Sequence, residues 1–176
     1  MTTKVNGHIL CLNDEARGKH QTLWKAKKVI SMKIIRATED WQRAGAYYVR
    51  IQAMAKKHHI TLRQEFDEHD TPETKYIVVL DNDFPIATAR MYQLDSKSVM
   101  IGRVVVLSEY RHQGIGRRVL CECEKWAREL GYQRATIESR DIKIPFYRQI
   151  GYKESGDPLI EGETFRCVRM EKVLID

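Results

Sequence analysis

A valine-rich stretch from Val99 to Leu107 runs into Arg111-His112-Gln113-Gly114-Ile115-Gly116 and then into a helical pattern ending near Leu130. No other feature constrains the chain as much. A turn from strand into helix leaves the first helical N–H groups without internal partners. Together with the helix dipole, those groups make a site for an anion. Gly114 and Gly116 permit unusual dihedrals and let a pyrophosphate approach the backbone closely. Arg111, Arg117 and Arg118 add positive charge nearby. Such a pattern alone is also that of a glycine turn that merely opens a helix. Its position between strand and helix favours an anion loop.

The surrounding sequence supplies a framework. Met32 to Ala37 reads as a strand, and Thr38 is the expected cap of a helix running to about Lys57. Trp41, Ala44, Tyr48, Ile51 and Ala55 recur at helical spacing and predict its buried face. Gln64 to Glu73 is polar and acidic and reads as a solvated loop. Tyr76 to Leu80 and Pro85 to Gln93 form a hairpin about Asp81-Asn82-Asp83. The run Val104-Val105-Val106 in the third strand suggests burial on both faces. Gly131 stops the helix that opens at Gly114. A strand over 134–138, a short helix over 145–149, and strands at 152–154 and 165–170 complete the chain. The order β-α-β-β-β-α-β-α-β-β predicts an α/β (α+β) domain over 32–176 with a mixed sheet flanked by helices. Residues 1–31 read as an extension, with a strand at 8–12 and a helix at 15–30.

The 176 residues carry a net charge of +6, which invites a nucleic-acid reading. Residues 1–31 hold six lysines and arginines against Asp14 and Glu15, so +4 of that charge lies there. The remainder is nearly neutral, which argues against a nucleic-acid surface. No apolar run approaches the roughly 20 residues of a membrane helix. The expectation is a cytoplasmic protein without membrane or nucleic-acid partners. Cys11, Cys121, Cys123 and Cys167 contain no Cys-x-x-Cys pair and read as free thiols. His58, His59 and His69 lie near Glu65, Asp67, Glu68 and Asp70, but their spacing matches no metal motif. No metal is expected.

A second motif follows the loop: Ile144-Pro145-Phe146-Tyr147-Arg148-Gln149-Ile150-Gly151-Tyr152. With both motifs in place, the chain from Met32 onward resembles the GNAT N-acetyltransferase superfamily. Its members carry a strand, an Arg/Gln-x-x-Gly-x-Gly/Ala loop and a Phe-Tyr-x-x-x-Gly-Phe/Tyr element. The resemblance implies a mostly antiparallel sheet of about six to seven strands with a splayed strand pair at a cofactor cleft. It implies acetyl-CoA as co-substrate. Backbone groups of Val104, Val105 and Val106 would hold the pantetheine arm and the thioester carbonyl. Arg111 and the amides of Gln113, Gly114, Gly116 and Arg117 would hold the pyrophosphate. Tyr147 matches the position that protonates the leaving thiolate. Arg140 lies near where many relatives place an asparagine that touches the cofactor, and this chain departs there.

The implied reaction is direct attack of a primary amine, small-molecule or peptide, on acetyl-CoA. Glu65, Glu109 and Glu138 are candidate bases, none carried by a motif. A non-catalytic acyl-CoA-binding module for sensing or interaction remains the alternative, and a homodimer is possible on either reading.

Overall fold

The computed structural model describes residues 32–162 and 165–174. The strand and helix expected within residues 1–31, and Cys11, lie outside them. The segment Ser31–Asp176 forms one compact unit. Its elements are β1 (Met32–Arg36), α1 (Asp40–Arg50), α2 (Lys56–His58), α3 (Leu62–Glu65), β2 (Lys75–Asp81), β3 (Phe84–Gln93), β4 (Ser98–Val106), α4 (Ile115–Glu129), β5 (Arg134–Arg140), α5 (Ile144–Arg148), β6 (Lys153–Glu154), β7 (Ile160–Glu161) and β8 (Arg166–Val173).

The sheet runs β1-β2-β3-β4-β5-β8-β6, with β7 also pairing β8. All neighbours are antiparallel except β4 and β5. That parallel contact covers only Ser98–Met100 against Arg134–Thr136. Beyond it the strands part. β5 stays bonded to β8 along its whole length, up to Arg140 opposite Cys167. The β5-facing edge of β4 is therefore open from Ile101 onward. This corrects the expectation of double-sided burial: Ser98–Ile101 are buried, whereas Gly102–Val106 are only partly so. The valines line a gap and do not fill a core.

A bulge re-aims β4 at the same place. Thr88 pairs Val105 and Arg90 pairs Gly102, so Arg103 and Val104 together oppose Ala89. Arg103 adopts a left-handed φ of 50°. For a residue with a Cβ this conformation costs roughly 1–2 kcal/mol.

Helix α4 lays Ile115, Val119, Leu120, Cys123 and Ala127 on one face of the sheet, where they join Ile77, Val79, Ile86, Met91, Ala135, Ile137 and Met170. Fully burying each such aliphatic side chain contributes roughly 1.5–3 kcal/mol. Gly131 ends α4 with φ 88°, and the amides of Gly131 and Tyr132 return to the carbonyls of Arg128 and Ala127.

Helix α1 covers the other face, turned from its expected orientation. Trp41 is 53% exposed, and Ala44 and Tyr48 also face outward. Ala46, Val49 and Arg50 face inward. The reason is electrostatic. Arg50, with no exposed surface, donates from Nε to Glu65 Oε1 at 2.8 Å and from Nη1 to Asp70 Oδ1 at 2.5 Å. Acid partners in the 64–73 segment make an inward arginine possible, and so that segment is not simply solvated. The helix also starts after Thr38: Gln42 Oε1 accepts the amides of Thr38 and Glu39 at 2.6 and 3.1 Å. It passes through a π turn at Ile51–Ala55 before α2. The strand β7 and the short helix α3 were not legible in the sequence pattern.

Candidate active site

The anion loop takes a form that exposes its amides. His112 and Gly114 both have left-handed φ, 61° and 75°. Arg118 N bonds Gly114 O at 3.2 Å, the first bond of the α4 ladder. Among the described residues, the amides of Gln113, Gly114, Ile115, Gly116 and Arg117 donate to no backbone or side-chain acceptor. Five free N–H groups at the start of a 15-residue helix form a concave donor set for a phosphate.

Gly116 faces the gap between β4 and β5. A Cβ placed there would meet Phe146 Cζ at 3.7 Å and Val106 Cγ2 at 3.8 Å. Both are ordinary contacts, so the protein's own packing tolerates a methyl group at this position. What a larger side chain would obstruct is the approach to the free amides.

The structure brings Val104, Val106, Phe146 and Tyr147 together on the α4 side, against the main core. Val105 points the other way and packs with Val49, Ala53 and Leu107 under α1. Only its backbone lies along the gap. Arg111 does not extend over the loop: its Nε donates to Val106 O at 3.0 Å. It thereby braces the end of β4 and holds the guanidinium at the mouth of the gap. Tyr147 lies in α5, its ring 5.1 Å from Phe146 and 5.9 Å from Tyr152. Burial first, and then the neighbouring Cys123 and Cys167, push its phenol up to about 12. The hydroxyl is therefore protonated at neutral pH, the form able to donate.

The candidate bases are differently placed. Glu65 is 1% exposed and held by Arg50, which makes it structural. Glu109 lies in the turn after β4, where Ser108 Oγ donates to it at 3.0 Å. Glu138 stands on β5 and pairs with Arg169 Nη2 at 3.2 Å. Among the described residues, no group of three His, Cys, Asp or Glu is placed to hold a metal ion. His69 stacks on Tyr92 with ring centroids 4.1 Å apart.

Two features were absent from the sequence reading. Behind the bulge, Arg103 donates to Glu65 O at 3.2 Å and to Asp67 Oδ2 at 2.9 Å. At the mouth of the gap, Arg140 lies over the ring of Phe165, 3.9 Å from its centroid. His58 meets the same ring edge-on at 5.1 Å. Nothing in local spacing links residues 58, 140 and 165.

Known proteins share this fold. The Acetyltransferase (GNAT) family model matches residues 35–152. The chain is 29% identical over 122 residues to the uncharacterized N-acetyltransferase YjcF of Bacillus subtilis, a match covering 69% of this chain and 86% of that protein. A crystal structure from Lactobacillus plantarum, assigned as an N-acetyltransferase, superimposes with a TM-score of 0.77 and 32% identity, covering 82% of this chain and 99% of that one. A GNAT family acetyltransferase from Elizabethkingia anophelis, solved with acetyl-CoA bound, has a TM-score of 0.61 at 14% identity, covering 81% of this chain and 97% of its own, and shares the fold. With the family match extending from β1 to the end of the Phe146-Tyr147 element, the chain belongs to the GNAT family of acetyltransferases.

Proposed function

We propose that this acetyltransferase moves an acetyl group from acetyl-CoA to a primary amine by direct attack. The observation that carries this reading is the set of free amides from Gln113 to Arg117 at the end of two parted strands. The amides suit the pyrophosphate, and the open edge of β4 suits the amide-bearing pantetheine arm, which would pair as an added strand. The Elizabethkingia neighbour's bound acetyl-CoA supports the same ligand.

Acetyl-CoA supplies the activated acetyl group. The protein holds it, orients it and stabilises charge. An ammonium with pKa ~10.4 must first lose its proton, at about 4 kcal/mol near neutral pH. Backbone N–H groups at Val104–Val106 would receive the developing oxyanion, a contribution of roughly 3 kcal/mol.

Tyr147 Oη would donate to the departing sulfur. Full transfer from a phenol raised to about 12 is uphill against a thiol with pKa ~8.5, by about 5 kcal/mol. Tyr147 therefore acts as a hydrogen-bond donor, and the proton that neutralises the thiolate is ultimately the one released by the amine.

Residues 32–176 form the catalytic domain on this reading, and acceptors are small molecules or peptides. Calorimetry with CoA and release of free thiol across an amine panel test it together. CoA binding in the micromolar range and turnover with at least one amine are expected. Absence of CoA binding by the folded chain would overturn the reading.

A further inference from the structure

Among the described cations without a carboxylate partner, one is built into a cluster of side chains at the far end of the gap. Arg140 ends β5, where the strand has left β4. Its guanidinium lies over Phe165, in the segment between β7 and β8, and His58 from α2 meets the same ring. Three separate elements converge to build a shelf with a cation on top and an imidazole at its side.

Among the described residues neither Arg140 nor His58 makes an ion pair, although Arg169 on the adjacent strand pairs with both Glu138 and Asp157. Directly across from Arg140 on β8 stands Cys167, a neutral thiol. Asp141, next in sequence, is occupied in its own turn, where Oδ1 accepts the amide of Ile142 at 2.6 Å. His58 is held below its usual value, by burial first and then by the positive charges of Arg140, Lys57, Arg111 and His59. The charges that act most on this imidazole are cationic. Arg111 closes the site from the β4 side, fixed there by Val106 O.

We propose that the acceptor is an amine that also carries an oxyanion, a carboxylate or a phosphate, and that Arg140 and His58 on the Phe165 shelf receive that group. An arginine seated on an aromatic ring has less freedom to lose, and a guanidinium can form a two-point bond with an oxyanion. Arg140 lies four residues beyond Thr136, the last residue of β5 paired to β4, or about 13 Å along the strand. On β4 the bulge at Arg103 and Val104 lies a matching three to four residues beyond Met100, the partner of Thr136, so Arg140 and the bulge stand at similar heights on the two sides of the gap. The proposal rests on the reading that the chain acetylates an amine. It adds the charge of the acceptor.

Two measurements on the full chain test it. The first needs no turnover. The His58 imidazole resonances, assigned with His58→Gln, are followed while CoA-loaded protein is titrated with acetate and, separately, inorganic phosphate at constant ionic strength. A saturable shift with either ion, abolished in Arg140→Leu, is expected, and the ion that saturates at lower concentration identifies the class. Shifts that only rise linearly with both ions overturn the proposal. Running the titration without CoA as well, beside calorimetry of CoA itself, separates this failure from a failure to bind the co-substrate.

The second measurement compares ε-aminocaproate with its neutral amide, and aminopentyl phosphate with aminopentanol, as acetyl acceptors. The anionic member of at least one pair should have a kcat/KM about tenfold or more above its twin, as expected for a hydrogen bond to a charged group. Arg140→Leu should collapse that ratio and Arg140→Lys should restore part of it, with CoA affinity held within about threefold, below the worth of one such bond. Equal use of both twins overturns the proposal, as does a loss of CoA affinity in Arg140→Leu, which would assign Arg140 to the phosphates of CoA. If no amine in the panel turns over, the resonance titration decides.

Discussion

Two groups of arginines flank β4, and they obey opposite rules. Behind the strand, under α1, Arg50 meets Glu65 and Asp70, Arg90 meets Asp67 and Asp70, and Arg103 meets Asp67. Tyr76 Oη adds a hydrogen bond to Asp70. In front, along the gap and at its mouth, Arg111, Arg117, Arg118 and Arg140 have no carboxylate partner among the described residues. A buried charge without a partner is strongly disfavoured, so the rear group must be internally matched. A partly solvated cation tolerates being unmatched, and its positive field remains available to an anionic ligand. The same residue type thus braces a strand on one side and leaves a positive field open to an anionic ligand on the other.

Breaking the rear network should have the largest effect. Arg50→Leu leaves the Glu65 and Asp70 carboxylates buried without their main cation. Removing one partner of a buried pair typically destabilises by about 3–5 kcal/mol. Denaturant melts should show that loss, and a midpoint unchanged from the parent chain would mean the network is solvated. The same network should be sensitive to acid. Burial pushes Asp70 up, but hydrogen bonds from Arg50 and Tyr76 and the charges of Arg90 and Arg50 outweigh it and hold it far below the usual range. Asp67 is lowered for similar reasons, with Arg90 as its main partner. A depressed carboxylate contributes stability that is present above its unfolded value, about 3.9, and is lost as pH falls below it. Arg50→Leu should flatten that acid limb of the stability profile.

In front, Gly116→Glu places a carboxylate where the amides of Gln113–Arg117 converge. Like charges brought together cost several kcal/mol, so CoA affinity should fall by about a hundredfold or more while the melting curve stays close to that of the parent. Unchanged affinity in the folded variant would remove the pyrophosphate from this loop.

Tyr147→Phe keeps the ring contacts with Phe146 and Tyr152. Turnover on any amine found to react should drop by about tenfold or more, mainly in kcat, with CoA affinity preserved. Full activity would reduce Tyr147 to a packing residue.

A smaller and more pointed comparison concerns Arg103, where the two regions meet. Its left-handed backbone costs roughly 1–2 kcal/mol, while its partly exposed pair with Asp67 contributes about 0–1 kcal/mol. Arg103→Gly relieves the first and loses the second, and should be nearly neutral in stability. Arg103→Val keeps the strain, loses the pair and should be worse by more than about 1 kcal/mol. If the two variants melt together, the bulge is not where the strain resides.

The smallest expected effect is at His58. Its folded pKa is lowered, so its contribution is present above the unfolded value of about 6.5 and fades as pH falls below it. His58→Gln should remove a shallow decline in melting temperature on that side of neutrality and leave the carboxylate limb intact.

The sequence was informative where physics is local. The loop at Arg111–Gly116 announces itself because strand, glycines and helix start lie within a few residues of one another, and the hairpin at Asp81–Asp83 is equally local. The outward turn of Trp41 was not legible, since apolar periodicity favoured burying it. The inward turn of Arg50 depends on Glu65 and Asp70, which only tertiary structure brings to its side. The bulge at Arg103 was hidden for the same reason: its clamp comes from residues 36 to 38 positions earlier. The partial exposure of Val104–Val106 follows from β5 leaving β4 after Thr136, which no hydrophobic pattern encodes. The shelf of His58, Arg140 and Phe165 draws on three elements and has no sequence signature at all.

Whether the free amides of Gln113–Arg117 hold a pyrophosphate is open to direct measurement. Calorimetry of the full chain with CoA and with pantetheine, which keeps the arm and thiol but lacks the pyrophosphate and the 3′-phosphoadenosine, measures the nucleotide end, and the Gly116→Glu variant ties that difference to the loop. Hydrogen bonds to a charged group contribute about 1.5–3 kcal/mol each, so CoA should bind about a hundredfold or more tighter than pantetheine. That ratio should shrink to near unity in Gly116→Glu. Equal affinities for CoA and pantetheine in the unaltered chain would contradict the account.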